Sequence, residues 1–216
     1  MKQRIMDKIR QEKLIVILRG VEPSSLIPLS EALYRGGIRL LEITYSANGS
    51  VSDEDTAHQI SLLKQRWDDD MEIGAGTVLT ERQVELTQAA GGGFIISPDT
   101  NVDVIRRTGE LGLVSIPGAL TPSEITAAHR AGADFVKLFP VTDLGTSYIK
   151  NVRAPLSHIP MLAVGGITVE NAKDYLQAGA CGLGIGSSIT NKQMLATKDF
   201  NGIAALASAF CEAVRA

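Results

Sequence analysis

Short apolar runs recur along the chain, each followed by room for one helix. Ile15-Val16-Ile17-Leu18, Leu40-Leu41-Glu42-Ile43-Thr44, Glu72-Ile73-Gly74-Ala75 and Phe94-Ile95-Ile96-Ser97 open the series. Leu113-Val114-Ser115-Ile116, Phe135-Val136-Lys137-Leu138-Phe139-Pro140, Met161-Leu162-Ala163-Val164 and Gly182-Leu183-Gly184-Ile185 complete it. Runs of this length, rich in β-branched residues and bounded by turn signals, predict buried strands. Glycine comes shortly before the next strand at Gly36-Gly37, Gly91-Gly92-Gly93, Gly112, Gly132 and Gly179, where a left-handed residue would end a helix. Thr80-Glu81-Arg82-Gln83 and Thr121-Pro122-Ser123-Glu124 predict capping boxes at two helix starts.

Parallel strands alternating with helices make an α/β protein. The eight-fold repeat favours a closed (β/α)8 TIM barrel over an open sheet. The dinucleotide fingerprint of the open sheet is missing, since Arg19-Gly20 follows the first strand. Residues 2–13 predict a short amphipathic helix, and Ile203, Leu206, Ala207, Phe210, Cys211 and Val214 a last helix that closes the ring. No linker interrupts the pattern, so residues 1–216 are expected to form a single domain with a short N-terminal helix. The least regular stretch is 46–56, with Ser46-Ala47-Asn48-Gly49-Ser50 as a loop.

Two charged residues break the apolar runs. Lys137 sits in mid-strand, where burial would lower its pKa and leave a nucleophilic amine, a candidate Schiff-base former. The plainer alternative is a lysine whose stem packs while its head reaches water. Glu42 would share an inward face with Leu40 and Thr44, within reach of Lys137 as its acid/base partner. A purely structural Lys137–Glu42 ion pair is the competing reading. Sites in such barrels lie at the carboxyl ends of the strands, where Arg19, Thr44, Thr77, Ser97 and Ser187 also fall. The turns Gly165-Gly166 and Gly184-Ile185-Gly186-Ser187 follow the last two strands, where barrels often hold phosphate on backbone N–H groups. Phe135 and Phe139 are expected to pack in the core or line the pocket, packing being the first choice.

Composition narrows the choice. The 216 residues are 44% hydrophobic with a net charge of −3, enough for a sizeable core and without the basic excess that would point to nucleic acid. No apolar run suits a membrane span or signal peptide. Cys181 and Cys211 have no metal spacing, and His58, His129 and His158 are scattered, so no metal site and a cytoplasmic chain with reduced thiols are expected.

Taken together, Glu42-Ile43-Thr44, Gly74-Ala75-Gly76-Thr77-Val78-Leu79, Ile96-Ser97-Pro98, Ile116-Pro117-Gly118, Phe135-Val136-Lys137-Leu138-Phe139-Pro140 and Gly165-Gly166-Ile167 resemble the KDPG/KHG aldolase family. That family acts on 2-keto-3-deoxy-6-phosphogluconate and 4-hydroxy-2-oxoglutarate. The resemblance implies a (β/α)8 barrel, a homotrimer, and class I chemistry without metal or cofactor in carbohydrate metabolism of the Entner–Doudoroff type. It implies Lys137 as the Schiff-base lysine, Glu42 as the proton donor and acceptor, Thr77 on the pyruvyl carboxylate and Pro98 in the pocket floor. It implies Gly166, Gly186 and Ser187 on the phosphate, with Gly165 in the same turn, and Arg19 on substrate as in the phosphogalactonate branch. Many members continue the Glu-x-Thr motif with Leu-Arg-Thr; here Tyr45-Ser46-Ala47 follow and the arginine is missing. Arg19, or less directly a hydroxyl of Tyr45 or Ser46, would replace it, which leaves phosphogluconate, phosphogalactonate and hydroxyoxoglutarate open as substrates. Another phosphate-binding barrel and a non-catalytic sugar-phosphate binder are the remaining alternatives.

Overall fold

All strand pairings are parallel, and the sheet closes on itself. In the computed structural model, which describes residues 1–215, the strands are β1 (Leu14–Leu18), β2 (Leu40–Thr44), β3 (Glu72–Gly76), β4 (Phe94–Ile96), β5 (Val114–Ile116), β6 (Gly118–Ala119), β7 (Val136–Leu138), β8 (Met161–Val164) and β9 (Gly182–Ile185). They run in the order β5-β4-β3-β2-β1-β9-β8-β7-β6. The fifth predicted strand forms as β5 against β4, and a short further strand, β6, which the periodicity does not predict, follows Pro117 and pairs with β7; Pro117 between them has no N–H to donate to a ladder. Because β5 and β6 form one stave, the nine strands make eight staves. The amides of Phe135 and Lys137 donate to the carbonyls of Ser115 (3.2 Å) and Pro117 (2.8 Å), which shuts the ring. The fold is the (β/α)8 barrel that the periodicity predicts.

Helices α1 (Lys2–Glu12), α2 (Pro23–Arg35), α3 (Asp53–Trp67), α4 (Glu81–Ala89), α5 (Val102–Glu110), α6 (Pro122–Arg130), α7 (Gly145–Arg153), α8 (Ala172–Gln177), α9 (Lys192–Ala196) and α10 (Phe200–Arg215) complete the chain. The start of α6 is a full capping box: the Glu124 amide donates to Thr121 Oγ1, and Glu124 Oε2 accepts from the Thr121 amide at 2.7 Å. At α4 only half the expected box forms. The Gln83 amide donates to Thr80, but the Gln83 side chain accepts from Leu79 at 2.8 Å and donates to Asp53 on α3 at 3.0 Å. A neutral amide can serve two elements at once, where a carboxylate could only accept.

Side chains alternate between two apolar layers, as the two-residue period of a strand requires. One layer packs the barrel against its helices. The other fills the barrel itself with Ile15, Leu40, Phe94, Ile96, Val114, Ile116, Phe135 and Leu162. Ile5 and Ile9 of α1 belong to this inner layer, so the N-terminal helix plugs the bottom of the barrel. Lys2 pairs with Asp134 at 2.8 Å, and Arg4 and Lys8 meet the buried Glu72 at 3.2 and 3.6 Å, which holds the plug at its rim. No helix among the described residues is long and apolar enough to cross a membrane.

Candidate active site

The inner layer fixes where the two anomalous charges point. Residues two apart on a strand share a face, so Lys137 follows Phe135 inward and Glu42 follows Leu40 inward, each one layer higher towards the carboxyl ends. Both are buried, at 6% and 2% exposure. Burial pushes the Lys137 amine down from 10.5, against the opposing pull of the Glu42 charge, and Arg19 pushes it further down. Burial pushes the Glu42 carboxyl up, and the charges of Lys137 and Arg19 and a hydrogen bond from Thr44 hold it back. Both shifts move the groups towards neutrality, the direction that acid/base and nucleophilic work needs.

The pair is coupled without being a salt bridge. Lys137 Nζ lies 4.6 Å from the ring centroid of Phe139 and makes no ion pair among the described residues. Glu42 Oε1 accepts a long hydrogen bond of 3.5 Å from Thr44 Oγ1, and Oε2 has no partner. An unpaired buried carboxylate oxygen is costly, so a structural ion pair does not describe this arrangement. Phe139, expected in the core or lining the pocket, is half-buried and stands beside the amine. Room for the Glu42 carboxyl comes from across the ladder. Thr44 pairs with Gly76 on β3, and a Cβ on Gly76 would lie 2.6 Å from Glu42 Cγ and nearer still to Oε1. This requirement for glycine was not visible in the sequence, because it depends on register.

Beside the pair opens a cavity of about 360 Å³, lined by Arg19, Thr44, Tyr45, Ser46, Gln59 and Thr77 among others, but not by Glu42 or Lys137. Arg19 is exposed, and Thr77 is half-buried with φ of 53°, a left-handed conformation that costs a β-branched residue about 1 kcal/mol or more. The missing family arginine is not replaced by Tyr45. Its hydroxyl turns outward to Gln83 O (3.2 Å) and Thr87 Oγ1 (3.0 Å), and burial raises its pKa to about 12. Ser46 is held within its loop by Asn48 at 2.8 Å and Ser50 at 2.9 Å. Arg19 is the cation that faces this cavity.

On the other side, the turns after β8 and β9 lie next to each other, and the Ser188 hydroxyl donates to Ile167 O at 2.7 Å. Gly165 and Gly166 have φ of 107° and 69°, with Thr142 packed against both. The amides of Gly165, Gly166, Gly186 and Ser187 make no hydrogen bond among the described residues, which leaves four free donors on two adjacent turns. Pro98 is half-buried, and its carbonyl lies where a Cβ on Gly118 would stand. No group of three or more His, Cys, Asp and Glu suited to a metal ion occurs among the described residues.

The fold and these side chains define a (β/α)8-barrel enzyme. Residues 5–206 match the family model described as KDPG and KHG aldolase. The chain belongs to the KDPG and KHG aldolase family and is a lyase. It is 34% identical over 203 residues to a 2-dehydro-3-deoxy-6-phosphogalactonate aldolase of Escherichia coli, with 94% of this chain and 96% of that one covered. It is 30% identical over 208 residues to a 2-dehydro-3-deoxy-phosphogluconate aldolase of Haemophilus influenzae, with 94% and 93% covered. Among solved structures, a KDPG aldolase from Legionella pneumophila with pyruvate captured as a covalent carbinolamine superposes with a TM-score of 0.85 at 26% identity, covering 95% and 97% of the two chains.

Proposed function

We propose that the protein is a class I aldolase that cleaves a 2-keto-3-deoxy-6-phosphohexonate to pyruvate and glyceraldehyde 3-phosphate through a Schiff base on Lys137. The observation that carries this reading is the buried, unpaired strand lysine with its pKa pushed down, coupled to a buried carboxyl with its pKa pushed up. The neutral Lys137 amine attacks the C2 ketone, and Glu42 protonates the departing hydroxyl as the carbinolamine loses water. The iminium accepts the electron pair of the C3–C4 bond while Glu42 takes the C4 hydroxyl proton. Glyceraldehyde 3-phosphate leaves, and Glu42 returns a proton to C3 of the enamine. Hydrolysis of the iminium then frees pyruvate and Lys137.

The other residues hold the substrate. Thr77 and Arg19 take the carboxylate end, a bidentate guanidinium standing in for the absent arginine at Ser46. Pro98 shapes the floor, and Gly165, Gly166, Gly186 and Ser187 take the phosphate with unbonded amides and a hydroxyl. The carbinolamine in the Legionella pneumophila relative supports a metal-free and cofactor-free route. Residues 1–216 act as one barrel domain, assembled as a homotrimer in the cytoplasm. The substrate read from the family as a whole is 2-keto-3-deoxy-6-phosphogluconate, with 4-hydroxy-2-oxoglutarate as a shorter substrate giving glyoxylate. A second reading, 2-keto-3-deoxy-6-phosphogalactonate, is favoured by Arg19 facing the cavity where Ser46 replaces the usual arginine, and by the E. coli relative's name.

Pyruvate with borohydride should leave an adduct on Lys137 by mass spectrometry and none in Lys137→Arg; a folded wild-type protein without adduct ends the Schiff-base reading. A coupled pyruvate-release assay with the two phosphorylated epimers and 4-hydroxy-2-oxoglutarate ranks the substrates. Turnover of none of them, with thermal stabilisation by a sugar phosphate, would mark a non-catalytic binder.

A further inference from the structure

Glu42 must gain and lose protons, yet its carboxyl is sealed. It is 2% exposed, it does not line the cavity beside it, and bound substrate would cover it from the Lys137 side. One side chain touches both places. Thr44 Oγ1 lies 3.5 Å from Glu42 Oε1, and Thr44 lines the 360 Å³ cavity. The two share the inward face of β2, and the missing side chain at Gly76 leaves Oε1 in position against the next stave. We propose that Thr44 is the positioning residue and proton relay of Glu42, linking the buried carboxyl to water in the cavity.

The inference rests on the Schiff-base reading and adds the route by which its acid/base group exchanges with solvent. In the inward direction Glu42 Oε1 takes the Thr44 hydroxyl proton while Thr44 Oγ1 takes one from a hydronium ion in the cavity. One O–H bond breaks and one forms at Oγ1, the hydroxyl ends neutral, and the hydronium becomes water. The outward direction is the reverse. A hydroxyl can do this because it donates and accepts at once. Arg19, Tyr45, Ser46, Gln59 and Thr77 line the cavity, and none of them makes a hydrogen bond to Glu42 among the described residues. Lys137, Arg19 and Glu42 are the charged groups of the site; Arg19 already faces the cavity, and Thr44 is the neutral hydroxyl between Glu42 and the water there.

The test is exchange of the pyruvate methyl hydrogens in D2O, followed by NMR. Lys137 forms the iminium and Glu42 removes a methyl hydrogen. Deuterium enters only if that proton reaches solvent before it returns. Thr44→Val should slow exchange about tenfold or more, with borohydride trapping on Lys137 and the KM for the ketoacid little changed, while Thr44→Ser restores the rate. Thr44→Val should also move the Glu42 limb of the kcat profile to higher pH, because the hydrogen bond that favours the ionised carboxyl is gone. Thr44→Ala serves in its place if the valine variant fails to fold. Exchange at the wild-type rate in Thr44→Val, or a Thr44→Ser as slow as Thr44→Val, overturns the relay. Failure of the wild-type protein to trap pyruvate at all would instead remove the Schiff-base reading beneath it.

Discussion

Gly76→Ala isolates the geometry of the acid from everything else in the barrel. Gly76 has no positive φ, so alanine suits its backbone and any effect comes from the added methyl group. That methyl would sit 2.6 Å from Glu42 Cγ, roughly 1 Å inside an ordinary carbon–carbon contact of about 3.5–4.0 Å, and would overlap the carboxyl itself. Glu42 must rotate away, and its neighbours leave it little space, because Leu40, Leu41 and Ile43 are all buried. The expected loss in kcat is about 10²- to 10⁴-fold, the worth of a positioned general acid/base. Overpacking should cost about 1–3 kcal/mol of stability, or about 2–4 °C in Tm for each kcal/mol in a chain of this size. Steady-state pyruvate release and thermal unfolding measure the two effects. The atoms nearest the new methyl all belong to Glu42, so borohydride trapping on Lys137 should survive, more slowly. A Gly76→Ala enzyme with near-normal kcat would refute the claim that Glu42 does its work from this rotamer.

Three further outcomes follow from the same contacts. Lys137→Met should abolish turnover and stabilise the fold by about 1–3 kcal/mol at neutral pH, because a buried amine gives way to an apolar chain of similar length. The folded pKa of Lys137 lies below 10.5, so the unfolded chain binds the extra proton between the two values; the variant's advantage in chemical denaturation should be full below the folded pKa and shrink as pH rises towards 10.5. Gly166→Ala puts a Cβ on a residue with φ of 69° and 3.0 Å from Thr142, and should raise KM for the phosphorylated ketoacids by about tenfold while sparing 4-hydroxy-2-oxoglutarate; equal effects on both would detach this turn from the phosphate. Ile5→Ala removes a fully buried side chain from the barrel plug and should cost about 2–4 kcal/mol in urea unfolding, with kcat unchanged because the plug is at the opposite end from Lys137.

What could be read from the sequence was whatever a strand's two-residue period writes into consecutive positions. Lys137 and Glu42 stood out as charges inside apolar runs, and the eight repeats gave the barrel. Features that depend on a neighbour brought in by folding stayed hidden. Pro117 splits one stave because β5 and β6 face different partners, which a single run of letters does not show. Gln83 leaves its expected capping partner because Asp53 arrives from α3. The Tyr45 hydroxyl turns to α4 because the Gln83 carbonyl accepts from it and Thr87 Oγ1 shares a hydrogen bond with it there, which leaves Arg19 as the cation facing the cavity beside Ser46.

The separation of the amine from the acid is the physical core of the site. Had Lys137 and Glu42 closed into a salt bridge, each would have stabilised the other's charged form, raising the amine's pKa and lowering the carboxyl's, and neither would have been reactive near neutral pH. Burial acts in the opposite sense on both, and it wins only while they stay apart. Phe139 stands beside the amine and the Thr44–Gly76 pairing flanks the carboxyl, and the orphaned Glu42 Oε2 is the cost of the separation in stability. On the proposed reading, a ketoacid would bring its ketone and hydroxyl into the gap, and the amine and the acid, kept apart, would act in turn on one carbon skeleton.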